Sequence, residues 1–461
     1  MVNLSFENIR YLNGLKAYFS KYSKKNRVVL RNVFFSFFIK GVNIFVSFLT
    51  VPLVLSFLST TQYGIWLTLT AVLSWFSLFD LGLGNGLRNH LTKAISRNAI
   101  DEGKIYVSTT YAALLAIFGT LAILFSLIHP YINWNEVFNA DSYNKDDLNA
   151  AVFYAISLLF LQFVLRLINT ILLAYQRSAM ADLSNAIIQV LILAGLYILK
   201  LQNYSSLTAV ALVYSAIPIF VFVLFSLYLF LTSYREIRPS YRFVRFEYAK
   251  GLLSIGLNFF VIQIAGLVIY ASDNFIISQF FSPSDVTTYN IAFKYFSIAN
   301  VLLSIILAPF WSMTTKAYVE NDWDWIKKTM NKLVKIWIGL ASILLLQLLV
   351  SNIFYGIWTN NSVVVPVSMS IVLCLYYLIF TWGSIFSNFL NGVGKIKLQL
   401  YLASISMIVN IPIAIIFIKI FKFGVLSVPL SAIVVTFLVS IFSYIQYKRL
   451  IQDRAEGIWN K

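Results

Sequence analysis

Cysteine, histidine and charge are all scarce in this chain. Of its 461 residues one is cysteine, two are histidine, and only 11% are charged. The lone thiol, Cys374, sits in an apolar run, which excludes a disulfide framework and a Cys-based zinc site. His90 and His129 are too few for a dedicated His cluster. Soluble domains carry about 25% charged and about 45–50% apolar residues. Here 59% of residues are hydrophobic and the mean hydropathy is +0.79. Such a chain cannot cover its surface with polar groups, so a water-soluble enzyme is excluded and the solvent for most of it is lipid. A phosphate-binding loop is missing too. Gly392-Val393-Gly394-Lys395 lacks the required spacing, so ATP hydrolysis has no site. Asp80-Leu81-Gly82-Leu83-Gly84-Asn85-Gly86 offers one carboxylate where calcium wants several oxygens. No metal site, no cofactor site and no nucleophile–base set is legible, and the chain reads as a non-enzyme.

What is present is long apolar runs. A hydrocarbon core of about 30 Å takes about 20 apolar residues as a helix, whereas a membrane barrel shows short alternating strands. Twelve runs fit the helical case: about 34–57, 64–86, 105–128, 150–173, 184–200, 209–232, 251–278, 286–312, 333–353, 363–386, 398–417 and 424–444. The first is not a cleavable signal, because some thirty residues precede it and no small-residue cleavage site closes it.

The net charge of +17 raises nucleic acid as a partner, but the placement of the bases argues otherwise. With the N-terminal tail inside, 28 of the 35 Lys and Arg fall on inside segments, four on outside loops and three within spans. The positive-inside bias therefore places both termini in the cytoplasm and accounts for the basic excess. Loops on both sides are too short for a soluble catalytic domain. The expected organisation is a basic segment at 1–33, a six-helix bundle at 34–232, a basic cytoplasmic linker at 233–250, a second six-helix bundle at 251–444 and a tail at 445–461. The 1–33 segment reads either as an interfacial basic helix or as a disordered tail. The linker's bases also suit anionic lipid head groups.

The halves echo each other. Thr61-Gln62-Tyr63-Gly64-Ile65-Trp66 opens span two, and Thr287-Thr288-Tyr289-Asn290-Ile291-Ala292-Phe293 opens span eight, 226 residues later. Six spans per half give both halves one orientation, with a substrate path expected between them.

Ionisable residues inside the bilayer are expensive and are functional candidates by default. Five lie within spans: Lys40, Asp80, Arg166, Asp273 and Lys294. At 1.5 Å of rise per residue, Lys40, Asp80 and Arg166 share a depth roughly 10 Å below the inner surface. Asp273 and Lys294 share a depth near the outer leaflet, where either a structural ion pair or a functional one fits. Lys40, Asn43 and Ser47 form one helical stripe; Gln162, Arg166 and Asn169 form another; Ser77, Asp80 and Gly84 a third. Isolated Asn or Ser in such helices more often serves as interhelical glue.

The stretch Tyr63-Gly64-Ile65-Trp66 through Phe79-Asp80-Leu81-Gly82-Leu83-Gly84-Asn85-Gly86-Leu87-Arg88 resembles the span-two signature of Wzx-type polysaccharide (O-antigen) flippases. Ser272-Asp273-Asn274 followed by Tyr289 and Lys294 resembles the start of that family's second half. The resemblance implies an all-α polytopic inner-membrane protein of the multidrug/oligosaccharidyl-lipid/polysaccharide superfamily, with two six-helix bundles around a central cavity. It implies a cargo of undecaprenyl-diphosphate-linked oligosaccharide, carried to the periplasmic leaflet by alternating access. Cavity cations in that family point to Lys40, Arg166 and Lys294 here, with Asp80 and Asp273 as coupling or charge-pair residues. Members often carry Arg where Lys294 stands. Membrane lipids, H⁺ or Na⁺ as coupling ion, and a polysaccharide polymerase with chain-length proteins are the implied partners. The rival readings are an ion-coupled small-molecule exporter and a membrane-embedded glycan polymerase or transferase. A cation exporter wants buried carboxylates in excess, while these spans hold three bases and two acids.

Overall fold

A computed structural model describes residues 24–76, 83–175, 177–248 and 272–460. Among these residues no strand occurs, and the backbone polar groups are paired along helices, as a lipid solvent requires. The first half holds α1 (Lys24–Leu55), α2 (Thr60–Trp75), α3 (Leu83–Ser96), α4 (Ile100–Ile128), the short α5 (Trp134–Val137), α6 (Lys145–Leu165), α7 (Leu167–Ala174), α8 (Ser178–Leu201) and α9 (Leu207–Leu231). The second half holds helix α10 over 272–280, then α11 (Pro283–Val319), α12 (Trp323–Thr359), α13 (Val367–Val393), α14 (Lys397–Lys419) and α15 (Ser427–Ile451). Nine helical segments among the described residues are long and apolar enough to cross a bilayer. The other three expected spans, the first, second and seventh, lie wholly or partly on stretches that are not described or carry shorter helices.

Local chemistry sets the helix ends. Ser59 caps α2 and forms a capping box with Gln62, each side chain taking the other's backbone N–H. The N-terminus of α9 is capped twice. Ser206 Oγ accepts from Ala209 N–H, and the Asp147 carboxylate accepts from Leu207 N–H at 2.8 Å and Thr208 N–H at 3.2 Å. A carboxylate there also meets the positive end of the helix dipole. Asp147 belongs to the first turn of α6, so this cap ties two spans together. Tyr143 donates to the same carboxylate, and burial together with that neighbour pushes its hydroxyl up to about 12. At the other end of the scale, Gly394 takes φ +79° and stops α13.

Two differences from the sequence reading have local causes. Span eight begins not at Thr287 but at Pro283, whose missing N–H is harmless in a first turn, with Ser282 Oγ accepting from Asp285 N–H. The fourth span is not one uniform helix, because it tightens at Arg166. There Asn169 N–H bonds the Arg166 carbonyl three residues back, separating α6 from α7.

Candidate functional site: a one-sided chamber

The two ends of the molecule are built differently. At the Lys/Arg-poor end, the halves are locked together. Gly64 in α2 lies so close to α11 that a Cβ there would come within 1.6 Å of the Pro283 carbonyl oxygen. Thr287 Oγ1 donates to the Thr60 carbonyl at 2.7 Å, so the two echoed segments touch one another. Asn139, held at φ 50°, donates from its amide to the carbonyls of Ser278 (2.9 Å) and Phe281 (2.8 Å). Ser278 Oγ and Gln279 Nε2 return bonds to the carbonyls of Phe138 and Val137. Asn274 adds a bond to the Leu67 carbonyl.

Toward the Lys/Arg-rich end, the first half is hollow. A chamber of about 690 Å³ is lined by α1 through Asn43 and Ser47, by α6 and α7 through Gln162, Arg166 and Asn169, and by α8 through Asp182, Asn185 and Gln189. Tyr214, Pro218 and Phe222 of α9 close its wall. Arg166 is exposed to this chamber, and its guanidinium pairs with no described residue. Asn169 is held from behind by Ser184 Oγ at 3.0 Å. Among the described residues the chamber therefore presents one fork-shaped cation, one carboxylate and a ring of amides, a set suited to anion oxygens flanked by polar groups.

The expected site residues divide accordingly. Arg166 lines the chamber, in the company its stripe called for. Lys40 lies on α1 one turn before Asn43, with its side chain outside the described atoms. Asp80 lies outside the described residues. Asp273 and Lys294 are not joined to each other here. Asp273 Oδ2 accepts from Tyr289 at 2.7 Å, and its Oδ1 has no partner among the described residues. Lys294 donates to the Ser47 carbonyl and lies 5.6 Å from the centre of the Phe48 ring. Beside it, Trp358 Nε1 donates to the Phe48 carbonyl at 3.0 Å. That carbonyl is available because Pro52, four residues on, has no N–H to give it. Sequence reasoning missed Asp182, Asn185 and Gln189, although their i, i+3, i+7 spacing is the signal that marked the other stripes.

Helices long and apolar enough to cross a bilayer, halves in contact at one end and a polar chamber toward the other describe a multi-pass membrane protein. Solved structures share the architecture of twelve helices in two bundles. The inward-facing conformation of a multidrug resistance MATE family transporter of the MOP superfamily matches with a TM-score of 0.74 at 15% identity, over 88% of this chain and 94% of that one. The outward-facing conformation of such a transporter matches with a TM-score of 0.63 at 14% identity, over 93% and 96%. The polysaccharide biosynthesis protein family matches residues 29–314, and the chain belongs to that family. A MatE match covers residues 259–416. A Yersinia pseudotuberculosis protein named for O-antigen export is 24% identical over 363 residues, 77% of this chain and 81% of its own length. The chain is thus a bacterial multi-pass membrane transporter of the polysaccharide-biosynthesis type.

Proposed function

We propose that this protein moves an undecaprenyl-diphosphate-linked oligosaccharide repeat from the cytoplasmic to the periplasmic leaflet of the inner membrane by alternating access. Arg166 carries the reading: a guanidinium that pairs with no described residue, in a chamber on the Lys/Arg-rich side, while the halves meet at the opposite side. A lipid diphosphate cannot cross hydrocarbon unaided, and a planar guanidinium grips phosphate oxygens in pairs. Positive-inside orientation makes the hollow side cytoplasmic, where such a head group would enter. Lys40, one turn from Asn43, is the second cation of the site. Asp273, with one carboxylate oxygen unbonded among the described residues, is the candidate for coupling to H⁺ or Na⁺. Lys294, bound to the Ser47 carbonyl, holds the halves together in this state and is released to the cargo path in another.

Arg166→Ala should abolish transport in a protein that still inserts, with lipid-linked repeats accumulating on the cytoplasmic leaflet. A hydrogen bond to a charged group contributes about 1.5–3 kcal/mol, so affinity for undecaprenyl diphosphate should fall roughly 10- to 100-fold. Arg166→Lys should recover part of the loss, because charge returns without the fork. Full transport by Arg166→Ala would sink the reading. One observation favours a second reading, export of a cationic small molecule: the Asp182 carboxylate faces the same chamber. Asp182→Asn separates the two, since a cation exporter would lose its counter-charge and its activity. The flippase should instead keep transport and hold the anionic lipid several-fold more tightly.

A further inference from the structure

The second half has hollows of its own, and their described lining is uncharged. One of about 290 Å³ and one of about 260 Å³ share Phe380, Ser384 and Ser387 on α13. Asn388 and Asn391 extend that stripe, Asn300 faces it from α11, and Gln399 from α14. Among the described residues no acidic or basic side chain lines either hollow. The amides of Asn300, Asn388, Asn391 and Gln399 bond to no described residue, although all four residues are half-buried. Unsatisfied amides are costly between membrane helices, where a glue role would pair them across the interface. Gln399 instead lines the larger hollow, and Asn300, Asn388 and Asn391 line the smaller one beside it. Ser384 and Ser304 spend their protons on the carbonyls of Phe380 and Val301 in their own helices, so their oxygens are left as acceptors.

We propose that these hollows bind the neutral sugar portion of the cargo, on the reading that the chamber around Arg166 takes its diphosphate. Sugar hydroxyls and acetamido groups both donate and accept, and amides with acceptor hydroxyls answer both needs. The Phe380 ring supplies an apolar face for a sugar's C–H side. A uronic acid or free amino sugar would enter without a counter-charge, at a large desolvation cost. The second half therefore selects uncharged sugars next to the diphosphate.

The test uses the full-length protein in nanodiscs and two probes: undecaprenyl diphosphate without sugar, and lipid-linked repeats extracted from source cells deleted for this protein. The wild-type protein should bind the sugar-bearing probe about tenfold more tightly, the worth of one or two net hydrogen bonds. Asn300→Ala with Asn388→Ala should erase that preference and leave the sugar-free probe unaffected. The near-isosteric Asn388→Asp, which preserves packing, should also lower it. Arg166→Ala should weaken both probes alike and preserve the ratio. No preference in the wild-type protein, or a preference that survives the double variant, overturns the sugar site while leaving the diphosphate reading intact. If the sugar-free lipid fails to bind and Arg166→Ala changes nothing, the diphosphate reading falls and takes this inference with it.

Discussion

The halves of this molecule share an architecture and differ in chemistry. The first encloses Arg166 and Asp182 in a large polar chamber; in the second, the polar groups described along two smaller hollows are amides and hydroxyls. They differ again where they touch. Gly64 in the first half corresponds, 226 residues on, to Asn290, whose amide bonds Asn274 Oδ1 at 2.6 Å and its own helix at Val286. Only one side of the contact lacks a side chain, and it is there that the Pro283 carbonyl comes in. The two halves share a frame, and the hollows within them differ in lining. The chamber of the first half offers charge, and the two hollows of the second offer neutral hydrogen bonding.

The sharpest way to break this contrast is Gly64→Val. The new side chain cannot coexist with the Pro283 carbonyl, so the Lys/Arg-poor end cannot close as described, and transport should be lost. A cysteine in place of the fully buried Thr287 should resist an impermeant thiol reagent in an otherwise unchanged chain and react once Gly64→Val is added. Continued protection would mean the helices reseal without this contact. Next in size is a transplant, Arg166→Asn with Asn388→Arg, which keeps net charge but moves it to the second half. Binding of undecaprenyl diphosphate should stay at least about tenfold weaker, the loss of one charge-assisted bond. Restored transport would show the halves to be interchangeable. The smallest effect is expected at Trp358→Phe, which removes one hydrogen bond between the halves and should cost about 1 kcal/mol in thermal unfolding. In a Pro52→Ala background the Phe48 carbonyl regains a partner in its own helix, so the same change should cost less. Equal costs in the two backgrounds would refute the role given to the freed carbonyl.

Helical periodicity made much of this legible in the sequence. The stripes Asn43–Ser47 and Gln162–Arg166–Asn169 do line one chamber, because residues three, four and seven apart share a helix face regardless of what packs on it. Asp182 was lost for a definable reason. An apolar run ends at its first polar residues, so the fifth span was read from residue 184, whereas the helix begins at Ser178. The partners of Asp273 and Lys294 were beyond reach for another reason. Rise per residue gives height in the membrane but not direction around the axis, so equal depth did not imply contact. The hollows of the second half carry no charge to announce them, and each of their amides in isolation resembles interhelical glue.

The bonds that hold the halves together have a shared feature. From Asn139, Asn274, Ser278, Gln279, Thr287, Lys294 and Trp358, each named bond between the halves ends on a main-chain carbonyl. Every residue type supplies that acceptor, so each latch is encoded on one side only. The receiving strip of chain is free to drift in sequence without a compensating change in the donor, and pairs of positions across the seam need not co-vary. A search for correlated substitutions would therefore pass over these hydrogen-bonded latches.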